Sequence, residues 1–345
     1  MIPRYRIADG YDISRVIKGG WHLAGGHGEV DPPGAIADMA AFVEAGITTF
    51  DCADIYTGVE DLIGRFLRAE PGLAAQVQVH TKFVPDLTEL PTLAASAIEA
   101  RIDRSLQRLG VERLDLVQFH WWDYGVRGYV EAALELTRLH AAGKIRHVGL
   151  TNFDTAHVAE LVDAGVPVRT IQVQYSLLDA RPAETMVGYC AAHDISLLCY
   201  GTVAGGFLSD RWLGRAAPAL DTLTNRSLTK YRLIIDEFGG WDLFQSLLET
   251  LARVAARHGT DIATVASAAM LGRESVAAVI VGATNRAHLA ANQQIADLRL
   301  SPADMAEIEA VLALRQGPPG EVYALERDRN GPHGRIMKYE LGKPA

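Results

Sequence analysis

Cysteine is scarce in this chain. Cys52, Cys190 and Cys199 are the three in 345 residues, odd in number and without metal-ligand spacing. They give no basis for a disulfide framework or a zinc site. Cys52 stands beside Asp51 and reads better as a small buried residue than as a reactive thiol. Long apolar runs are also missing. No stretch reaches the about 18 uninterrupted apolar residues that a membrane-spanning helix needs, and the opening MIPRYRIADG has no apolar signal region. The expectation is a soluble cytoplasmic protein. Positive charge is in deficit, with 33 Lys and Arg against 42 Asp and Glu and a formal net charge of -9. That balance opposes a nucleic-acid or anionic-membrane binder, and a small molecule becomes the expected partner, with the chain a monomer or homo-oligomer. Low-complexity segments and H-x-H pairs of the kind a metal-dependent barrel hydrolase uses are absent too.

Apolar residues make up 49% of the chain, enough for a large core in one barrel or two smaller domains. The pattern favours one. Short apolar runs at Arg15–Lys18, Ile47–Phe50, Val77–Lys82, Leu114–Phe119, Ile145–Leu150, Thr170–Val173, Ser196–Cys199 and Val276–Ile280 alternate with amphipathic stretches. The helices expected between them include Gly34–Ala45, Leu90–Leu109, Tyr129–Ala142, Thr155–Ala164, Ala183–Ala192 and Trp241–His258. Eight strands with helical crossovers predict an α/β fold, a (β/α)8 TIM barrel in a single domain spanning 1–345. The segment YRIADGYDIS predicts an N-terminal β-hairpin plugging the barrel bottom. Gly201 to about Gly240 reads as a long loop after the seventh strand, and the segment from Gly317 as an irregular tail carrying Arg327, Arg329, His333, Arg335 and Lys338.

The stretch GITTFDCADIYTGVEDLIGRFL organises the rest. A buried strand, Ile47–Phe50, stops at a polar loop with Asp51, Asp54 and Tyr56, and helical spacing resumes at Val59. In a β/α barrel such loops lie at the C-terminal face, where active sites are built. Neighbouring strand ends add Lys82 and His120. A phenol, an ammonium, a carboxylate and an imidazole in one pocket suit proton delivery to a carbonyl oxygen while hydride reaches its carbon. A Lys82 ammonium about 4 Å from the phenol, at an effective dielectric of about 20, is worth about 4 kcal/mol and would draw Tyr56 toward neutrality. Asp51 would hold Lys82 by a charge-assisted bond, and His120 would orient the carbonyl oxygen. Each residue alone has a bland reading: a helix cap, a core phenol, a surface ammonium, a satisfied core histidine. Their coincidence at consecutive strand ends favours the chemical one.

These segments resemble the aldo-keto reductase family from about Val16 to Asn292, through GITTFDCADIYTGVEDLIG, the Lys of HTKF, the His of DLVQFH, GKIRHVGLTNF, IQVQYSLLDARP, YGTVAGGFL and VIVGATNRAHLAAN. The chain looks most similar to the bacterial and potassium-channel-β-like branch. The resemblance implies a (β/α)8 barrel using NADP(H) or NAD(H), with Tyr56 as general acid-base, Lys82 and Asp51 as its tuners and His120 orienting the carbonyl. It also implies cofactor contacts at Gly19, Gly20 and Trp21, an amide-binding set of Thr151, Asn152 and Gln172, and Tyr200 stacked under the nicotinamide. The pyrophosphate falls to the loop holding Gly201, Val203 and Gly205, and the adenosine end to Thr284, His288 and Asn292. His288 and Ala291 depart from the family pattern there, and Arg226, Lys230 and Arg286 are the cations available for a 2′-phosphate. Trp121, Trp122 and Tyr124, directly after His120, are the expected substrate-pocket wall. If the tail covers the mouth, its basic residues would favour an anionic carbonyl substrate. Two functions remain open: an NADP(H)-dependent oxidoreductase that reduces an aldehyde or ketone or oxidises an alcohol or sugar hydroxyl, and a slow-turnover cofactor-binding regulatory or redox-sensing subunit.

Overall fold

The computed structural model describes residues 2–24, 30–282 and 285–341. Two antiparallel strands, β1 (Arg4–Ala8) and β2 (Tyr11–Ser14), form the expected N-terminal hairpin. Eight more strands then close a parallel barrel in the order β10-β3-β4-β5-β6-β7-β8-β9. They are β3 (Val16–Gly19), β4 (Thr49–Asp51), β5 (Gln78–Phe83), β6 (Leu114–Phe119), β7 (Ile145–Thr151), β8 (Val168–Gln174), β9 (Ser196–Tyr200) and β10 (Val276–Gly282). Each expected strand is present. Most run one or two residues further at the C-terminal end than their apolar run, ending at Gly19, Asp51, Phe83, Thr151, Gln174, Tyr200 and Gly282. Among the described residues, no helix is long and apolar enough to cross a membrane.

The hairpin closes the bottom. Ile7, Tyr11 and Ile13 pack with Ile17, Leu116, Leu198, Ala277 and Ala278 inside the N-terminal end of the barrel. The helices cover the outside, and their spacing explains how. In the helix Val59–Ala69 the buried residues Val59, Leu62, Ile63 and Phe66 form one stripe against the barrel. Gly64 lets the helix Ala95–Leu109 approach closely, since a Cβ there would lie 2.2 Å from the Arg108 carbonyl oxygen.

Three helical expectations shift. The helix expected from Leu90 begins at Ala95, because Pro91 sits in a 3-10 segment over Leu87–Thr92. The expected Ala183–Ala192 helix is broken at Thr185 into Arg181–Glu184 and Met186–Ala192. The supposed long loop after β9 contains the helix Arg226–Phe238, capped by Asn225, whose side chain accepts from the Leu228 amide at 3.0 Å. Its buried Tyr231, Ile234, Ile235 and Phe238 recur at helical spacing, a stripe obscured by the charged residues around it.

The tail folds over the barrel mouth. The Leu87 amide donates to the Tyr339 carbonyl at 3.0 Å, and Thr88 binds Glu340 through its amide and hydroxyl at 3.0 and 2.8 Å. Beneath this strap lies a buried ion cluster. Arg181 pairs with Asp179 at 2.7 Å and with Glu326 of the tail at 3.1 Å, and Lys230 lies 3.5 Å from the other Glu326 oxygen. Burial alone would raise the Glu326 carboxyl, but Lys230 and Arg181 overcome it and hold it down to about 2. Lys230 is itself lowered, by burial and by Arg181, so the carboxylate, shared between two cations, is the better-held partner.

Because the Glu326 carboxyl is depressed on folding, its contribution is fully present above about pH 4.3, the ordinary Glu value, and is lost as pH falls toward about 2. Glu326→Gln leaves Arg181 and Lys230 facing a neutral amide and is expected to cost about 3–5 kcal/mol at pH 7. Denaturant unfolding across that acid window checks this: the variant should lose both stability and the acid-side slope.

Candidate active site

Strand register sets the site. Gly19 is level with Asp51 and with Gly282, Lys82 with Gln118, and Thr151 with Gln172. The C-terminal ends of the strands therefore present a ring of polar side chains under one cavity of about 730 Å³, a size suited to a small-molecule ligand.

Asp51 is the hub of that ring. One carboxylate oxygen accepts from Lys82 Nζ at 2.6 Å, and the other accepts from Gln118 Nε2 at 3.0 Å and Gln172 Nε2 at 2.6 Å. Lys82 also donates to the Cys52 carbonyl at 2.8 Å, and its Nζ lies 5.1 Å from the Tyr56 ring centroid. Burial would lower the Lys82 ammonium, but Asp51 and Tyr56 carry it upward, so it stays charged. The Tyr56 phenol corrects an expectation. Burial pushes it above its usual value, Lys82 opposes the rise and Asp51 adds to it, and the net shift is upward. The phenol is held protonated instead of being drawn toward neutrality, which is the form a proton donor needs. Asp54 turns aside to Arg101 at 3.3 Å. Cys52 is buried, with its thiol pushed well up by that burial, and is a packing residue.

His120 is buried against Trp122, with ring centroids 4.3 Å apart at 89°, and against Tyr323 of the tail at 5.6 Å and 85°. Its Nδ1 lies 3.1 Å from the Thr151 carbonyl oxygen. Burial, with Arg327 adding to it and the Thr151 bond opposing, lowers the imidazole to about 3, so the ring is neutral. Its Nε2 is buried without a hydrogen-bond partner among the described residues.

The cavity runs from these four side chains to Asn292. Gly19, Trp21, Thr151, Asn152, Gln172 and Tyr200 line it from the strand ends and their loops, as do Gly201, Val203, Gly205, Arg226, His288 and Asn292. Trp21 meets Tyr56 edge-on at 5.0 Å. Tyr200 donates to Asn152 Oδ1 at 2.8 Å, and Asn152 is held at φ 61 to receive it. A flat ring has an aromatic face at Tyr200 to lie on, and the buried Asn292 Nδ2, without a partner among the described residues, is an unused donor at the opposite end. The lining thus fits a long nicotinamide dinucleotide. Gln172 differs in one respect: its amide hydrogens go to Asp51 and to Gln118 Oε1 at 3.1 Å, inside the barrel.

Several expected residues stand elsewhere. Gly20 is packed beneath the site, its amide donating to the Asp51 carbonyl at 2.7 Å, and a Cβ would meet that oxygen at 2.8 Å. Thr284 lies outside the described residues. Arg226 and Lys230 line the cavity, but Lys230 is committed to Glu326, and Arg286 pairs with Asp38 at 3.1 Å outside the lining. Trp122 is a wall as expected, but Trp121 is not. With His120 turned inward, strand alternation turns Trp121 outward into the core, where its Nε1 donates to the Asp123 and Val126 carbonyls at 3.0 Å. Tyr124 stacks on His157 at 3.5 Å and accepts from Arg327 Nη2 at 2.6 Å, away from the cavity lining. The tail contributes wall residues Tyr323, Ile336, Met337 and Leu341, yet most of its cations are engaged: Arg327 with Tyr124, Arg329 with Asp123 at 3.1 Å and His333 with Glu237 at 3.3 Å. Lys338 is the tail cation in the lining, so the expected anion preference rests on that residue. Gln118 is a site residue that the sequence reading misses. Its signal is a polar residue in a buried strand, two positions before His120 and hence on the same face.

Known proteins match this chain along most of its length. Residues 15–313 match the family model described as Aldo/keto reductase family. Aldo-keto reductase YhdN of Bacillus subtilis (strain 168) is 29% identical over 315 residues, covering 89% of this chain and 92% of that protein. The NADH-specific methylglyoxal reductase of Escherichia coli (strain K12) is 26% identical over 317 residues, covering 85% and 92%. Flagellar radial spoke protein 5 of Chlamydomonas reinhardtii is 29% identical over 254 residues, but this chain spans only 47% of its length. The structure of a glycerol dehydrogenase from Gluconobacter oxydans superposes with a TM-score of 0.77 at 23% identity, covering 93% of this chain and 97% of that one, a likeness of fold. With the family model spanning the barrel from its first parallel strand past its last, the chain belongs to the aldo/keto reductase family.

Proposed function

We propose that this protein is an NADP(H)-dependent oxidoreductase that reduces an aldehyde or ketone, with Tyr56 as general acid. The observation that carries this reading is the junction of Tyr56, the charged Lys82 and its Asp51 anchor at one end of a cavity whose other end offers Asn292. A reduced nicotinamide held along this cavity would supply hydride. The chain supplies the proton: the Tyr56 phenol donates to the carbonyl oxygen, and the Lys82 ammonium stabilises the phenolate left behind. Asp51 fixes the ammonium, while Trp122 and Tyr323 close apolar walls over the reacting carbonyl and exclude water. A regulatory subunit of slow turnover would keep the same four side chains, so turnover itself separates the readings.

Tyr56→Phe should lower kcat for carbonyl reduction by about 10²–10⁴-fold while cofactor affinity, read by fluorescence quenching, stays unchanged. Absence of Tyr56-dependent turnover across a broad carbonyl panel would favour the regulatory role. Since the phenol lies above its usual value, the reduction rate should stay level through neutral pH and fall only in strong alkali, as the proton is lost.

The cofactor reading has its own test. NADP(H) is preferred here because the Arg226 guanidinium lines the cavity and suits a 2′-phosphate. Titration should show NADPH binding more tightly than NADH, and Arg226→Ala should remove about tenfold from NADPH affinity alone. Equal or tighter binding of NADH to the unaltered protein would overturn the preference.

A further inference from the structure

The buried cluster around Glu326 holds two cations and two anions, and of its four members Lys230 is the one that lines the cavity. Charge that balances within the cluster is therefore unbalanced at the cavity wall. The ammonium is confined there. Its Nζ lies 5.2 Å from the Tyr200 ring centroid, 5.8 Å from that of Tyr231 and 5.7 Å from that of Tyr323, with Glu326 at 3.5 Å, and its side chain is 14% exposed. Tyr200 is fixed as well, since its hydroxyl donates to Asn152 Oδ1 at 2.8 Å. A unit charge acts much more strongly across an aromatic ring than across water. Proton delivery by Tyr56 makes no use of this one.

We infer that Lys230 makes the protein tell the two oxidation states of its cofactor apart, holding the reduced form more tightly than the oxidised one. This rests on the nicotinamide reading above, in which the ring lies on Tyr200, and deepens it. The oxidised nicotinamide ring carries a positive charge and the reduced ring carries none, so an ammonium that shares Tyr200 with it opposes the oxidised form alone. The phosphates are the same in both forms and cancel from the comparison. Lys230 thereby selects the reduced form on loading and hastens release of the spent one, while the hydride step on the protein becomes less downhill by the same factor. It acts through space and makes no bond to the reacting atoms. Arg226, by contrast, reads a phosphate whatever the oxidation state of the ring.

The test needs no turnover. Fluorescence quenching with NADP+ and with NADPH gives two dissociation constants, and their ratio in the unaltered protein should favour NADPH. Lys230→Gln, whose amide can still donate to Glu326, should shift that ratio toward NADP+ by about tenfold, the order of effect that a unit charge supplies at this range in a partly shielded site. Lys230→Met should shift it in the same way and serves if the glutamine variant does not fold, while Lys230→Arg should keep most of the preference. The same shift is expected with NAD+ and NADH, because the charge acts at the nicotinamide end. A ratio near one in the unaltered protein, or a ratio that the neutral variants leave unchanged, would overturn the inference. So would an equal loss of affinity for both forms, which marks a purely structural role. Failure of the unaltered protein to bind either form would sink the cofactor reading and this inference together, whereas an unchanged ratio with both forms bound sinks the inference alone.

Discussion

A carboxylate with almost no access to water sits at the centre of this barrel. Isolated, the ionised Asp51 side chain would be costly to bury, and it is tolerable only because three donors from three other strands converge on it. Lys82 comes from β5, Gln118 from β6 and Gln172 from β8. Their meeting at one point requires the barrel to be closed with this register, so the fold and the charge state of the site are linked. The same link fixes the ammonium beside Tyr56. Lys82 could not remain charged at that depth without its carboxylate, and Asp51 would not be held in place without the two glutamine amides.

Around this hub the chain divides its labour. Strand ends supply the groups proposed to react, the Gly-rich loop after β9 and the helix Arg226–Phe238 line the cavity further on, and the tail supplies much of the wall over His120. Tyr231 of that helix lies so close to the loop that a Cβ on Gly201 would meet its hydroxyl at 2.4 Å, at a backbone φ of +79 that already disfavours other residues. The buried cluster of Arg181, Asp179, Glu326 and Lys230 ties the segment after β8, this helix and the tail together. Glu326 carries its charge into the interior because it has two cations, which makes it a clamp and not a loose contact.

The barrel is legible in the sequence because buried parallel strands leave short apolar runs that repeat, and the reacting residues because polar side chains stop those runs at matching places. Asp51, Tyr56, Lys82 and His120 need only that logic. Trp121 and Tyr124 fall outside the pocket because nearness in sequence is not nearness in space: alternation across a strand end sends neighbours to opposite sides. The acidity of Tyr56 departs from expectation for another reason, since sequence reveals a cation near a phenol but not the burial that outweighs it. Nor does sequence show where the tail's cations go. Arg327, Arg329 and His333 look free in a segment without periodicity, and each finds its partner only through tertiary folding.

The wall over His120 belongs to residues 323–341, outside every barrel strand, and is held by Tyr323, Tyr339 and Glu340. Together with Trp122 these tail residues enclose the His120 imidazole, so much of the wall and the polar ring of the strand ends lie on separate pieces of chain. Exchanging this terminal segment between relatives offers a route to new substrate ranges in which the polar ring at the strand ends is inherited intact.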